Sequence, residues 1–313
     1  PPPPHLIMNP LPTQLEYITS RRQTGPVRLP EGIQPNLPEL SGIRAVVFDV
    51  YGTLFSSGVG DISLATEENR DAALRTTLAA HGLEPDRAGR DIRLDDRLHS
   101  VIHHHQSKRR AAGIRYPEVD IRAVWKEFLQ ELSSEQLIAD PDPVSVETLA
   151  VDYETRVNPV QPMPGLAACL AKLRTLGPLA IISNAQFYTP LLFEAFLGQP
   201  PEALGFCPDC NVWSYALLEG KPSRALYEEA ARRLEKHHGL SPAECLYVGN
   251  DMRNDIWPAQ ETGFRTALFA GDRLSLRLRR DHPECRNRQA DAVLTSLDQI
   301  AGCIGLEKEE KTP

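Results

Sequence analysis

The sequence has no apolar run of the length that crosses a membrane and no excess of positive charge. A spanning helix requires about 20 consecutive apolar residues, and no stretch of the 313 residues approaches that length. The formal net charge is −8, whereas proteins that bind nucleic acid or anionic lipid rely on a basic surface. We therefore expect a small-molecule substrate, with no nucleic-acid or membrane partner.

Cysteine is scarce and scattered. Six cysteines occur, and only Cys207 and Cys210 lie close together, in the stretch CPDC. A four-cysteine zinc site needs a second pair, so two free thiols are favoured over a zinc or redox role. This usage, with the lack of a basic segment followed by an apolar core, predicts a reducing, cytoplasmic location. Because the chain begins with Pro1, an upstream targeting segment stays an open alternative.

Proline, by contrast, is concentrated at the start of the chain. Residues 1–40 lack helical or strand periodicity and contain PPPP, NPLP and LPEGIQPNLPEL. This composition predicts an extended or disordered segment. A partner that binds proline-rich peptides could dock there, but a loose arm is the favoured interpretation.

Six short apolar runs rich in β-branched residues follow. They are residues 43–49, 179–183, 212–214, 245–249, 266–270 and 292–294. Helical patterns lie between several of them, such as 164–177 and 222–239, each with a proline near its start and a glycine at its end. Strands that alternate with helices are typical of an α/β fold with a doubly wound parallel sheet.

Residues 58–162 interrupt this alternation. No strand pattern appears there, and apolar residues recur with helical spacing in 94–113 and 121–132. An all-helical insertion after the first strand predicts a cap over the site at the strand ends. The expected division is an α/β core at 41–57 and 163–305, a cap at 58–162 and a charged tail at 306–313.

Polar residues follow four of the predicted strands. In chain order they are Asp49 and Thr53, then Ser183 and Asn184, then Lys221, and finally Asn250, Asp251 and Asp255. The carboxyl ends of parallel strands meet at one edge of the sheet, which is where ligands bind. We therefore expect these side chains to converge, since their ordered appearance at successive strand ends is hard to attribute to chance.

In four motifs, DVYGT, SN, GKP and GNDMRND, the sequence resembles the haloacid dehalogenase superfamily of hydrolases. The resemblance covers residues 43–300, with residues 58–162 in the place of the helical cap. It implies a catalytic set of Asp49, Ser183, Lys221 and Asp255 and a substrate-binding pair, Thr53 and Asn184. Asp49 would attack as a nucleophile, and Lys221 would neutralise charge on the substrate and transition state.

Tyr51 stands where phosphatases of this superfamily usually carry a second aspartate as general acid and base. A phenol with an ordinary pKa of about 10 suits neither role at neutral pH. Dehalogenases of the superfamily resemble this chain in YGT, and halide leaves without a proton. Tyr51 therefore favours dehalogenation, or a phosphatase that acts on good leaving groups.

The fourth motif favours a phosphatase. Asp251 and Asp255 would converge on Asp49, and three neighbouring carboxylates repel one another. A Mg²⁺ ion would relieve this repulsion, bound by Asp49, the backbone carbonyl of Tyr51 and Asp251. A second alignment gives the metal position to Asn250, but Asp251 keeps a carboxylate at the metal and is preferred. Dehalogenases of this type work without metal.

Several features leave the choice open. A dehalogenase would need an arginine of the early cap, Arg70 or Arg75, to receive halide, and Tyr227 fits either a dehalogenase pattern or an apolar helix face. The run HHHQSKRR (103–110) in the predicted cap does not indicate a metal site. Consecutive histidines on a helix point about 100° apart, so they cannot share an ion, and a solvated helix face is favoured.

Three functions follow from the sequence. The first is a Mg²⁺-dependent phosphatase that acts on a small phosphorylated substrate through an aspartyl-phosphate at Asp49. The second is a metal-independent 2-haloacid dehalogenase that passes through an aspartyl ester. The third is a weakly active or non-catalytic phosphate-binding protein that recruits partners.

Overall fold

All six predicted apolar runs form strands. The structure, a computed structural model, describes residues 13–57, 67–86 and 91–306. In chain order the strands are β1 (Ala45–Phe48), β2 (Phe55–Ser57), β3 (Val160–Pro162), β4 (Leu179–Ser183), β5 (Val212–Trp213), β6 (Cys245–Gly249), β7 (Arg265–Phe269) and β8 (Ala292–Leu294). A six-stranded sheet has the order β5-β4-β1-β6-β7-β8, and every neighbouring pair in it is parallel.

Strand β1 lies inside this sheet and is buried on both faces. Val46 is opposite Leu179 on β4 and Leu246 on β6. Val46 and Phe48 pack into the larger apolar core on one face, and Val47 packs into the core on the other. A strand covered on both faces reads as a continuous apolar run, which explains why Asp49 follows four apolar residues without alternation.

Some helices cover the two faces of the sheet, and others form the insertion within residues 58–162. They are α1 (Gln14–Ser20), α2 (Glu67–Ala80), α3 (Leu94–Ala111), α4 (Ile121–Ser134), α5 (Val146–Val157), α6 (Leu166–Leu173), α7 (Leu191–Leu197), α8 (Ser214–Leu217), α9 (Arg224–His238), α10 (Trp257–Glu261) and α11 (Gln299–Cys303). Helices α6, α7 and α11 contribute to one core, and α9 and α10 contribute to the other. No helix of the described residues is long and apolar enough to cross a membrane.

The insertion has a separate apolar core and a short two-stranded base. Helices α2 to α5 bury Trp125 and Phe128 among their apolar side chains. At the base, β2 pairs antiparallel with β3, and Phe55 is opposite Pro162. The expectation that residues 58–162 contain no strand is therefore wrong at β3. A three-residue strand is too short to show an alternating pattern in the sequence, so it was not predicted.

The prediction of a disordered arm is wrong for residues 13–40. Thr13 and Glu16 form a reciprocal capping box at the start of α1, and Tyr17 and Ile18 are buried. Further along, Asn36 pairs with Val293 of β8. The seven-residue helix is too short to give a convincing apolar period. Residues 1–12, 58–66, 87–90 and 307–313 lie outside the described residues. With them lie the first twelve residues of the predicted proline-rich segment 1–40 and most of the predicted charged tail.

Candidate active site

The polar residues predicted at four strand ends meet around a cavity of about 400 Å³ at the carboxyl edge of the sheet. The predicted site residues that line it are Asp49, Tyr51, Asn184, Lys221, Asn250, Asp251 and Asp255. Ser183 and Thr53 are fully buried and lie behind these residues. Parallel topology therefore produces the predicted convergence, although the chemical role of each residue stays a prediction.

Lys221 joins two of the predicted catalytic carboxylates. Its Nζ donates hydrogen bonds to Asp49 Oδ1 at 2.7 Å, to Asp255 Oδ1 at 2.7 Å and to the Tyr247 hydroxyl at 2.8 Å. Burial alone would lower the pKa of Lys221, but the charges of Asp255 and Asp49 outweigh it and raise the pKa. The side chain therefore carries a fixed positive charge in contact with the predicted nucleophile.

The Asp49 carboxylate has one bound and one available oxygen. Oδ1 accepts hydrogen bonds from Lys221 and from Ser183 Oγ, the latter at 3.0 Å. Oδ2 accepts none from the residues that the structure describes. Burial raises the pKa of Asp49 to about 6, with Lys221 opposing the shift and Asp255 adding to it. A pKa of about 6 favours the ionised form of Asp49 at neutral pH, with one oxygen held by Lys221 and Ser183 and the other available, as the predicted role of nucleophile requires.

Asp255 is held by four hydrogen bonds. Oδ1 accepts from Lys221 at 2.7 Å and from the Tyr247 hydroxyl at 2.9 Å. Oδ2 accepts from the backbone N–H groups of Asn250 at 3.0 Å and Asp251 at 2.9 Å. A carboxylate with this many donors orients Lys221 and the loop after β6, and it has little capacity left for a metal ion.

Asp251, the preferred metal ligand, is occupied by other partners. Its Oδ1 accepts from the backbone N–H groups of Arg253 and Asn254 at 2.8 and 3.1 Å. Its Oδ2 accepts from Arg279, from Nη2 at 2.8 Å and from Nε at 3.1 Å. In the part of the chain that the structure describes, Asp49, Asp251 and Asp255 do not form a group with metal-binding spacing. Asp251 would therefore have to exchange its Arg279 partner for the ion before it could serve as the predicted Mg²⁺ ligand, and the predicted set of Asp49, the Tyr51 carbonyl and Asp251 stays a prediction.

Asn250, not Asp251, packs against the turn that follows Asp49. Thr53 Oγ1 donates to Asn250 Oδ1 at 3.2 Å, and Asn250 Nδ2 donates to the Ser275 carbonyl at 2.6 Å. Gly52 has a φ of +83°, and a Cβ there would lie 2.5 Å from Asn250 Nδ2. This contact favours the second alignment, in which a neutral amide takes the position beside the nucleophile.

The two predicted substrate-binding residues differ in position. Thr53, fully buried, supports Asn250 and does not line the cavity. Asn184 lines the cavity, and its Oδ1 accepts from the backbone N–H of Lys221 at 2.7 Å. Asn184 therefore positions the segment that carries Lys221.

Tyr51 does not replace the missing general acid and base. Its hydroxyl lies 3.1 Å from Thr189 Oγ1, and burial raises the pKa of the phenol, so it stays protonated. Two cap carboxyl groups, Glu118 and Glu154, line the same cavity, and burial raises the pKa of each. Sequence reasoning missed both glutamates, because neither belongs to a motif or follows a strand.

The cations in the cavity also differ from those predicted. Arg70 pairs with Asp95 at 3.1 Å, and Arg75 pairs with a neighbouring aspartate of α2; neither lines the cavity. Instead Arg277 and Arg279 line it from the connection between β7 and β8. Nothing in the sequence singles out that connection, because its link to the site is a backbone pairing made across the fold.

Two other candidates lie outside the cavity. Tyr227 is buried, and its hydroxyl donates to the Asn254 carbonyl at 2.6 Å, which agrees with a packing role. In the histidine run, His103 and His104 are exposed, and His105 lies 2.9 Å from Glu127. These contacts agree with the predicted solvated helix face.

Comparisons with known proteins show which family and which relatives the chain resembles. A family model described as haloacid dehalogenase-like hydrolase matches residues 43–263. Glyceraldehyde 3-phosphate phosphatase of Methanopyrus kandleri is 28% identical over 72% of this chain and 82% of its own length. (S)-2-haloacid dehalogenase of Xanthobacter autotrophicus is 29% identical over 73% of this chain and 75% of its own. A 2-haloacid dehalogenase structure from Pseudomonas syringae pv. Tomato has a TM-score of 0.52 and 20% identity, and the alignment covers 85% of this chain and 99% of that one.

Proposed function

Since the chain belongs to the haloacid dehalogenase-like hydrolases, we propose that Asp49 displaces a leaving group from a small organic anion without a metal ion at Asp251. The observation that carries this proposal is the Lys221 ammonium bonded to Asp49, together with the pairing of Asp251 and Arg279. The order of the two enzymatic functions expected from the sequence is thereby reversed. A 2-haloacid is a substrate class whose reaction needs neither a general acid at the position of Tyr51 nor a Mg²⁺ ion.

Charge balance in the cavity supports a monoanionic substrate. Its three aspartates are matched by three cations: Asp49, Asp251 and Asp255 against Lys221, Arg277 and Arg279. Burial raises the pKa of Glu118 and Glu154, which favours their neutral forms. Among the described residues, Lys221 and Arg279 are paired with these aspartates, whereas the Arg277 guanidinium donates to the Leu274 and Leu276 carbonyls. Arg277 can therefore pair with the single charge of a carboxylate, and the described lining offers no second such cation for a phosphate dianion.

The proposed reaction has two steps. In the first, Asp49 Oδ2 attacks the carbon that bears the halogen, a C–O bond forms, and the halide departs with the electrons of the C–X bond. In the second, water attacks the ester carbonyl of Asp49, which releases a 2-hydroxy acid and restores the carboxylate while a proton passes to solvent. Lys221 and Ser183 hold the other oxygen of Asp49 in both steps.

A Mg²⁺-dependent phosphatase is the second candidate, and the two cap glutamates favour it. A neutral carboxyl group of Glu118 or Glu154 could protonate an alkoxide leaving group, the task that Tyr51 does not perform. This function would require Asp251 to leave Arg279, or Asn250 to serve as the metal ligand. Magnesium at either position would supply the positive charge that a phosphate dianion lacks in this cavity.

One paired screen tests both candidates. The purified chain is assayed with 2-haloacids and with phosphorylated metabolites, each in excess Mg²⁺ and in EDTA. Halide release that is equal in Mg²⁺ and EDTA is the expected result. Phosphate release that EDTA abolishes would replace the first proposal by the second. Binding of either substrate class without turnover would favour the non-catalytic alternative.

A further inference from the structure

The CPDC stretch lies at the end of the sheet opposite the cavity. The Cys207 N–H donates to the carbonyl of Leu179 at 2.8 Å, and Leu179 is the first residue of β4, whereas Ser183 at the other end of β4 contacts Asp49. Helix α9 connects the two ends, since it begins just after Lys221 and ends at His238. Its 15 residues span about 22 Å at 1.5 Å per residue.

Three possible metal ligands come together there. One ligand atom of each of Cys207, Cys210 and His238 lies within 4.8 Å of the others. Among the described residues, this is the single group of three histidine, cysteine or acidic side chains with such spacing. His238 follows Cys210 by 28 residues in the chain, so sequence spacing does not reveal it as a third ligand. The lack of a second cysteine pair therefore does not exclude a zinc site here.

We propose that Cys207, Cys210 and His238 bind a zinc ion that is separate from the hydrolase site. Two cysteines separated by two residues, together with one histidine, are a ligand set that zinc prefers, and a water molecule completes the tetrahedron. The ion ties the end of α9 to the turn before β5. Because the site is remote from Asp49, its role is to stabilise the fold, and it stands independently of the proposed reaction.

The local geometry can accept the ion with small movements. Cys207 and Cys210 Sγ atoms lie 2.8 Å apart, whereas two sulfurs bound to one zinc at about 2.3 Å each lie about 3.8 Å apart. Cys210 is fully buried and anchors the site, while Cys207 is partly exposed and His238 is exposed. A rotation of the partly exposed Cys207 side chain supplies the additional ångström between the two sulfurs.

The backbone around the site also favours a cation. The Cys210 N–H donates to the Cys207 carbonyl at 3.0 Å, which closes the CPDC turn and keeps the two thiols together. His238 is the last residue of α9, where the helix dipole is negative and a positive ion is stabilised. The nearby guanidinium of Arg233 is paired with Glu229 at 2.7 Å, a carboxylate that it shares with Arg232.

Metal titration of the full chain tests the proposal. The protein is reduced, freed of metal and titrated with Zn²⁺, and with Co²⁺ to detect the charge-transfer absorption of thiolate ligands. We expect one Zn²⁺ per wild-type chain, a weaker thiolate band in Cys207→Ser, in which Cys210 is the remaining thiolate, and affinity at least about tenfold weaker in His238→Gln. His237→Gln is the matched control, since this exposed neighbour is not in the cluster, and it should bind as the wild type does.

Three outcomes would overturn the proposal. They are no thiolate band in the reduced wild type, equal affinities in the His237 and His238 variants, and loss of the bound zinc in Asp49→Asn. The last result would place the ion in the hydrolase cavity. Thermal unfolding adds a second readout, because zinc should raise the Tm of the wild type and have little effect on Cys207→Ser. The screen for hydrolase activity is a separate measurement, so the two proposals can fail separately.

Discussion

Arg279 pairs with Asp251 through two guanidinium nitrogens, at 2.8 and 3.1 Å from Oδ2. These residues are 28 positions apart in the chain, and the contact determines what Asp251 can bind. A carboxylate that accepts from an arginine and from two backbone N–H groups is a poor ligand for a metal ion. The same contact balances the charge of the cavity, so the candidate reaction depends on it.

Replacement of Arg279 by Gln should therefore change both substrate binding and metal binding. The freed Asp251 carboxylate would repel an anionic substrate, and we expect KM to rise about tenfold with a smaller change in kcat. Isothermal titration should detect Mg²⁺ binding in the variant that the wild type lacks. Arg280→Gln, a change at an exposed neighbour, is the control. Equal Mg²⁺ binding by the wild type and Arg279→Gln would show that the arginine does not block the metal position.

Asp49→Asn should abolish turnover and leave the fold intact. The amide has the same shape but cannot attack, and loss of a nucleophile normally costs several orders of magnitude in rate. Steady-state kinetics measure the loss, and circular dichroism checks the fold. Asp281→Asn, at an exposed position, should keep full activity. Retention of more than about a tenth of the wild-type rate would exclude covalent catalysis by Asp49.

The pH dependence of kcat/KM should show an acidic limb near pH 6. Burial raises the pKa of Asp49 to about 6, and only the ionised form is a nucleophile, so the rate should fall about tenfold per pH unit below that value. The hydrogen bond from Ser183 lowers this pKa, and Ser183→Ala should move the limb to higher pH. A limb near pH 4 in the wild type, unchanged in Ser183→Ala, would contradict the buried environment described for Asp49.

Tyr51→Asp separates the two reactions. An added carboxylate beside Asp49 should repel a 2-haloacid and lower kcat/KM for halide release. In a phosphatase, the same change would supply a general acid, which contributes typically 10²–10⁴-fold, and would raise the rate on alkyl phosphates more than on p-nitrophenyl phosphate. Tyr51→Phe, which keeps the ring and removes the hydrogen bond to Thr189, controls for packing. A gain in halide release would be incompatible with our account of Tyr51.

Glu154→Gln addresses the phosphatase candidate directly. If this carboxyl group protonates an alkoxide, the variant should lose most activity on alkyl phosphates and keep activity on p-nitrophenyl phosphate, whose leaving group needs little protonation. Glu118→Gln is the matched comparison, since it lines the same cavity from another part of the cap. Equal rates in both variants and the wild type on both substrates would remove the cap glutamates from the proton-transfer step.

The sequence by itself determined the α/β class, the six strands and the convergence of polar residues at one edge of the sheet. These inferences depend on local patterns, because a strand buried on two faces must be apolar throughout, and parallel strands must present their carboxyl ends together. Asp49, Ser183 and Lys221 meet for that reason. The helix in residues 13–40 was missed because seven residues and one capping box carry too little periodicity.

Only the tertiary structure decided which side chains contact the polar residues of the cavity and the CPDC cysteines. Arg279 reaches Asp251 from the connection between β7 and β8, and Glu154 reaches the cavity from the cap. His238 likewise meets Cys207 only because α9 runs the length of the sheet. These contacts join segments that are far apart in the chain, and no local period or spacing encodes them. The partners of Asp251, the carboxyl groups of the cap and the proposed zinc ligands therefore follow from packing, whereas the position of Asp49, the proposed nucleophile, follows from the sequence.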